Sequence, residues 1–314
     1  MTSRSAFLRS AALGVAAASV PRIASAQLVP VRVGAILSDV FGSPFYASAA
    51  GAFAKAGFDI QVSGIRNPNY AISAFGRGDA EYEFIAVDIL TGTLAMAAKI
   101  PLLLVAGLGL YRSTDPTNTL AVAKNSPLRS PKDLIGKTIG LGSLSGIGYT
   151  CLRAWLEQNG IALDQVKIIE LLTPAMGPAL VRGTVDASLI AEPFWSYFRD
   201  DIRDFAHFYD VCAKQYIQTA WYASKAWFEA DRDRARKVVA AIYETQRWAN
   251  AHHDETLALL VREAKFDPDK VQGMRRQWFT TSLTPPLVQP VLDLGAKYKA
   301  LDQRFDAKQL ITTA

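Results

Sequence analysis

Histidine and cysteine are scarce, at three and two among 314 residues. His207, His252 and His253 show neither an H-E-x-x-H motif nor spacing to cysteine that would hold zinc. The pair His252-His253 falls in a helical stretch where adjacent residues face different ways, which reads as a solvated surface. No nucleophile-base pair is visible, so no catalytic residue is expected. Cys151 and Cys212 do not make a disulfide framework, although a single bridge between them stays open. Nucleotide-binding signatures are missing too: Gly140-x-Gly142 lacks its third glycine, and no G-x-x-x-x-G-K-[ST] occurs. Gly142 and Gly146 bracket Leu144, not a serine, which excludes the hydrolase elbow G-x-S-x-G. The longest apolar run past the first 26 residues, Pro101 to Leu110, has ten residues. A bilayer span needs about 20.

What is present begins with a leader. Met1 to Arg9 carries Arg4 and Arg9 with no acid, Ser10 to Val20 is small and apolar, and Ala24-Ser25-Ala26 has the small-x-small pattern of a cleavage site. Residues 1–26 are expected to be a signal peptide, the mature chain to start at Gln27 and the protein to be periplasmic. Ser5 stands where a twin-arginine signal has its second arginine, so the export route is open. Losing Arg4, Arg9 and Arg22 from 34 basic residues against 29 acidic ones leaves a formal charge of +2. With no lysine- or arginine-rich stripe, nucleic acid is not expected as a partner. The remaining 288 residues suggest roughly two domains.

Apolar runs without strict alternation occur at Val31 to Leu37, Tyr82 to Val87, Leu102 to Ala106, Lys137 to Leu141, Val166 to Leu171 and Ala187 to Ala191. These are expected to be strands buried on both faces. Helical segments Ser43 to Ala56 and Tyr149 to Asn159 each end at a glycine, Gly57 and Gly160. The alternation predicts parallel α/β sheets. The chain also resembles itself: Ala74 to Ala86 and Ala179 to Ala191 align at an offset of 105, each with Arg-Gly, an acid three residues on, and a buried strand. Val33-Gly34 and Ile139-Gly140 open the two units at nearly the same offset. Later, Val211 to Ala223 reads as extended and Asp233 to Glu263 as helical. Two lobes are therefore expected, residues 31–113 plus 215–314 and residues 114–214, with the site in the cleft between them.

Ligands of open parallel sheets sit outside the carboxyl ends of the strands. The loops there run Ser38 to Phe45, Asp88 to Thr93, Gly142 to Gly148, Thr173 to Gly177 and Glu192 to Trp195. The expected ligand-binding residues are Ser38, Asp39, Phe41, Ser43, Phe45, Asp88, Ser143, Leu144, Ser145, Gly146, Thr173, Met176, Glu192, Phe194 and Trp195. Gly142 to Gly148 can offer amides and hydroxyls to an anion at a helix start, or be a serine-capped tight turn. Glu192 can accept from a ligand or brace backbone amides, Asp88 can be a site acid or a helix cap, and the aromatics can be stacking walls or core.

Leu120 to Leu128 followed by Pro131-Lys132-Asp133-Leu134-Ile135-Gly136-Lys137-Thr138-Ile139, and Ala179 to Glu192-Pro193, resemble segments of the nitrate, sulfonate and taurine-type substrate-binding proteins of ABC importers. That family is similar to the thiamine-pyrimidine precursor synthases and binding proteins. The synthases use a cysteine-rich cluster, which this chain lacks, so their activity is not expected. The resemblance runs from Val31 to about Tyr298. It implies an α/β, type II periplasmic binding fold of two parallel-sheet lobes, a non-enzymatic monomer without cofactor or metal, and permease and ATPase subunits as partners. The same ligand loops are implied. The expected solute is a small organic acid, a sulfonate or carboxylate with room for an aromatic body, because helix N-termini favour anions. Asp39 and Glu192 keep a pyrimidine or amine as the alternative, and a secreted enzyme and a ligand-sensing domain of the same fold are the remaining readings.

Overall fold

A computed structural model describes residues 27–78 and 81–312. The leader 1–26, and Asp79 and Ala80 of the first internal repeat, lie outside the described residues. The chain opens with strand β1 (Val29–Ala35), helices α1 (Ser43–Ala50) and α2 (Ala52–Lys55), strand β2 (Phe58–Gly64), helix α3 (Pro68–Arg77), strand β3 (Phe84–Asp88), helix α4 (Ile89–Ala97) and strand β4 (Leu102–Gly107). The segment expected as one helix, Ser43 to Ala56, is split because Gly51 adopts a left-handed φ of 71°. Strand β5 (Gly109–Arg112) then leads out of this unit.

The second unit holds β6 (Asn118–Ala123), β7 (Thr138–Leu141), α5 (Gly146–Gln158), β8 (Lys167–Glu170), α6 (Thr173–Val181), β9 (Ala187–Ala191), α7 (Phe194–Tyr197) and β10 (Ile202–Ala206). Strand β11 (Gln215–Ile217) brings the chain back. Next come β12 (Thr219–Ser224), α8 (Lys225–Ala230), α9 (Arg232–Ala251), α10 (His253–Ala264), α11 (Pro268–Val271), β13 (Trp278–Phe279), α12 (Pro285–Lys297) and α13 (Ala307–Leu310).

Two five-stranded sheets result, β2-β1-β3-β12-β4 and β10-β6-β9-β7-β8. Read from β8, the second repeats the order of the first: second, first and third strand, an inserted strand, then the fourth. The inserted strand is antiparallel in both, β12 to β3 and β4, and β6 to β9 and β10. Each sheet is therefore mixed, not purely parallel as expected, because the first strand after each crossover enters its sheet running backwards. Strand β8 also differs from expectation: it lies at the sheet edge with Lys167 and Glu170 exposed, so only one neighbour covers it. The two crossovers run side by side, β11 pairing antiparallel with β5 and β5 with β13.

Three apolar cores form. One lies on the outer side of the first sheet around Phe53, Trp221 and Val238, and a smaller one lies around Leu180 and Ile190. The largest spans both units, with Leu90 of α4, Ile147 and Leu152 of α5 and Val288 and Leu292 of α12. The helix expected over Asp233 to Glu263 breaks at His252, whose ring stacks on Trp248 at 4.8 Å and whose Nδ1 lies 2.7 Å from the Trp248 carbonyl oxygen. His253 meets Trp278 edge-on at 5.7 Å. Both histidines are half-buried, not solvated, because the break turns them toward these tryptophans.

Candidate functional site: a cavity between the two sheets

The carboxyl ends of the parallel strands of both sheets converge on one cavity of about 150 Å³. From the first unit come Ile36, Ser38, Val40 and Phe41 after β1, Arg66 and Pro68 after β2, and Val87 and Asp88 at the end of β3. The second unit supplies Leu141, Gly142, Ser143 and Ser145 after β7, Ile147 and Gly148 on α5, Leu172, Thr173 and Met176 after β8, and Leu189 and Ala191 of β9. The crossovers form the floor, with Asn118 on one and Tyr209, Gln218 and Thr219 on the other. A volume equal to roughly five water molecules suits a small solute. A second hollow of about 370 Å³ shares Ile36, Arg66, Leu172 and Thr173 with it and is also lined by Pro174 and Ala175. A wider groove of about 620 Å³ around Trp155, Phe205 and His207 is lined by residues 155–214 alone, away from the strand ends.

Seven expected residues line the cavity: Ser38, Phe41, Asp88, Ser143, Ser145, Thr173 and Met176. Asp88 serves two helices. Its Oδ1 accepts from Thr91 N at 2.9 Å, capping α4, and from Ile147 N at 3.1 Å, reaching the first turn of α5 across the cleft. Burial pushes its pKa up, against the pull of these hydrogen bonds. One amide expected to meet an anion is therefore already engaged by a carboxylate. The Ser143 and Ser145 hydroxyls lie 3.0 Å apart.

The other eight expected residues do not line it. Asp39 is fully buried, receives Nε and Nη2 of Arg276 at 3.2 and 3.0 Å, and accepts from Tyr46 Oη and Gln277 N at 2.9 and 2.7 Å. Such a bidentate pair saturates the carboxylate and turns it from the cleft. Glu192, also fully buried, accepts from Ser196 N and Ser196 Oγ, both at 3.1 Å, and from Arg275 N at 3.3 Å. It braces backbone amides, one of the two roles its position allows. Burial drives its pKa up to about 7, against the hydrogen bonds from Ser196 and the charge of Arg275. Phe194 packs edge-on against Phe266 at 5.2 Å, and Trp195 lies under the Arg275 guanidinium at 4.6 Å. Phe45 joins the first-sheet core and Ser43 is wholly buried at the start of α1. Leu144 faces solvent. Gly146 is pressed against Thr91 and Asp88: a Cβ there would lie 2.4 Å from Thr91 Oγ1.

Sequence reasoning missed Arg66, Asn118, Tyr209, Gln218 and Thr219. Arg66 is exposed, has no ion-pair partner among the described residues and lines both the cavity and the adjoining hollow. It follows edge strand β2, whose alternating Phe58-Asp59-Ile60-Gln61-Val62 is a signal that could have placed it at a strand end. Asn118 Nδ2 lies 3.4 Å from Gln218 Oε1, joining the two crossovers, while Asn118 Oδ1 is buried with no partner. These floor residues sit on the crossovers, not at parallel-strand ends, and carry no local motif.

Known proteins share this architecture. A family profile described as NMT1/THI5 like matches residues 40–256. A protein of Brucella abortus (strain 2308), provisionally named a binding protein, is 23% identical over 261 residues, covering 82% of this chain and 78% of its own length. Among solved structures, the alkanesulfonate-binding protein SsuA of Xanthomonas axonopodis pv. citri, bound to MOPS, aligns with a TM-score of 0.74 at 18% identity, covering 92% of this chain and all of its own. The desulfurization enzyme DSZB aligns at 0.64 and 15% identity, covering 90% of this chain and 96% of its own. These structural likenesses establish the fold.

Proposed function

The chain belongs to the NMT1/THI5-like family, and from that premise we propose that it is the periplasmic solute-binding component of an ABC importer, capturing a small organic acid between two lobes. The carrying observation is that both sheets aim their strand ends at one small cavity, closed at its floor by the crossovers. The sheets draw strands from residues 29–107 with 219–224 and from 118–206, which supports lobes at 31–113 plus 215–314 and at 114–214. Residues 1–26 act as the export leader. The mature monomer hands its ligand to permease and ATPase subunits, with neither cofactor nor metal.

In this reading the acid group, a sulfonate or carboxylate, lies toward the mouth, where Arg66, Ser143, Ser145 and Thr173 supply a cation and hydroxyl donors. Phe41 and Met176 flank the apolar body. The SsuA likeness supports a sulfonate. One observation favours a second reading: Asp88 and the unpaired Asn118 Oδ1 are acceptors at the same cavity, which suits a pyrimidine or amine. The DSZB likeness raises an enzyme on the same fold. Against it, the polar lining consists of serines, threonines, two amides, Tyr209, Asp88 and Arg66, with no evident nucleophile-base pair.

A thermal-shift panel tests this. A ligand at about 100 times its Kd stabilises the native state by about 2.7 kcal/mol. Alkanesulfonates or small carboxylates are expected to raise the melting temperature, with unchanged ligand recovered after denaturation. A response to amines or pyrimidines alone overturns the acid reading, and turnover overturns the binding reading.

A further inference from the structure

The protein has two cysteines, 61 positions apart, and the fold packs the segments that carry them against each other. Cys151 is fully buried on α5, and Cys212 is half-buried at the end of the 3₁₀ turn Phe208–Val211. The turn packs on the helix in a matched way. At Gly148 the helix touches Tyr209, since a Cβ there would lie 3.1 Å from Tyr209 Oη. Three residues on in each segment stand Cys151, on the same face of the helix as Gly148, and Cys212. Cys212 packs against the core that contains Cys151, and after burial the Cys212 thiol is the next cause that holds the Cys151 thiol up. Both segments also build the cavity: Ile147 and Gly148 precede Cys151, and Tyr209 precedes Cys212.

We propose that Cys151 and Cys212 are a reversible dithiol-disulfide pair, closed by a small-molecule disulfide, that staples the helix wall of the cavity to the turn carrying Tyr209. Burial pushes the Cys151 thiol up and makes it the poorer first attacker. The half-buried Cys212 is the sulfur an incoming disulfide reaches. With oxidised glutathione, the Cys212 thiolate attacks one sulfur and expels a glutathione thiolate, giving a mixed disulfide. The Cys151 thiolate then attacks the Cys212 sulfur and expels the second glutathione. The protein loses two hydrogens and oxidised glutathione becomes two reduced glutathiones, so atoms and electrons balance.

The test uses the full chain, reduced and then incubated with oxidised glutathione, with mass and thiol alkylation measured after denaturation. The expected result is a monomer lighter by two hydrogens, with neither cysteine alkylated, a linked Cys151-Cys212 peptide and reversal by dithiothreitol. Cys151→Ser and Cys212→Ser each abolish the two-hydrogen loss. The oxidised form is expected to melt several degrees above the reduced one. Two alkylatable thiols, a lasting glutathione adduct on Cys212, a covalent dimer, or equal melting temperatures would each overturn the proposal.

Discussion

Two neighbouring arginines hold two buried carboxylates. Arg276 grips Asp39 and Arg275 lies 3.6 Å from Glu192, so the segment between α11 and β13 is fastened both to the loop after β1 and to the end of β9. Asp39 is the better matched of the pair: a bidentate guanidinium and a backbone amide offset its desolvation. Glu192 is the weaker, and its pKa of about 7 against an ordinary 4.5 shows that burial outweighs its partners. The folded state thus binds this proton more tightly than the unfolded state. Its contribution to stability is fully present below about pH 4.5 and is lost as pH rises through about 7, a swing of about 3 kcal/mol. Glu192→Gln removes the titration. Unfolding free energies from urea titrations are expected to shift in favour of the variant, relative to the native protein, as pH rises through that window. Parallel curves would rule out Glu192 as a titrating group there.

The first turn of α5 is one place where the two halves of the cleft touch, and Gly146 lets them. Its φ of +77° suits glycine, and a Cβ would lie 2.4 Å from Thr91 Oγ1 and 3.0 Å from Asp88 Oδ2. Gly146→Ala therefore adds a clash between α4 and α5 to a left-handed strain of roughly 1–2 kcal/mol. Gly183→Ala is the control: φ is +71°, yet nothing lies within 4 Å of the added carbon, so only the strain remains. Denaturant titration and ligand titration together should find the first variant less stable than the second and weaker in binding by more than tenfold, with the control near native in affinity. Equal affinities would mean that this contact does not shape the site. The inner strands β1, β3, β7 and β9, and the well-buried edge strand β4, were legible because burial on both faces leaves a run of apolar residues. Edge strands β2 and β10 were not, since their residues mix polar and apolar. The inserted direction of β12 and β6 leaves no trace in periodicity at all.

At the scale of the molecule, the proposed capture of a solute requires the parts that bound the cleft to separate. Asp88 to Ile147 N, Asn67 Nδ2 to Glu170 Oε1 at 3.3 Å and Arg153 Nη1 to the Tyr298 carbonyl at 2.9 Å all join the two units. The ladder of β5 and β11 pairs the two crossovers, and α12 packs in the core that spans both units. The strand-end loops were legible because a chain with this cadence has only a few places where helix follows strand. Which side chains in those loops face the solute was not, because Asp39 and Glu192 are claimed by arginines more than 80 residues away and Arg66 follows an edge strand. Such an arrangement predicts a hinge whose closed population the ligand raises, since the solute gains contacts from both halves only when they meet. Small-angle scattering measures this directly. A compact chain of the 288 residues that follow the expected leader has a radius of gyration of about 19 Å. The ligand-saturated protein is expected near that value and the ligand-free protein measurably above it, with the difference vanishing as ligand is removed. A radius that stays constant while a thermal shift reports binding would mean the ligand enters a preformed cavity through the Arg66 hollow, and the hinge would have no part in capture.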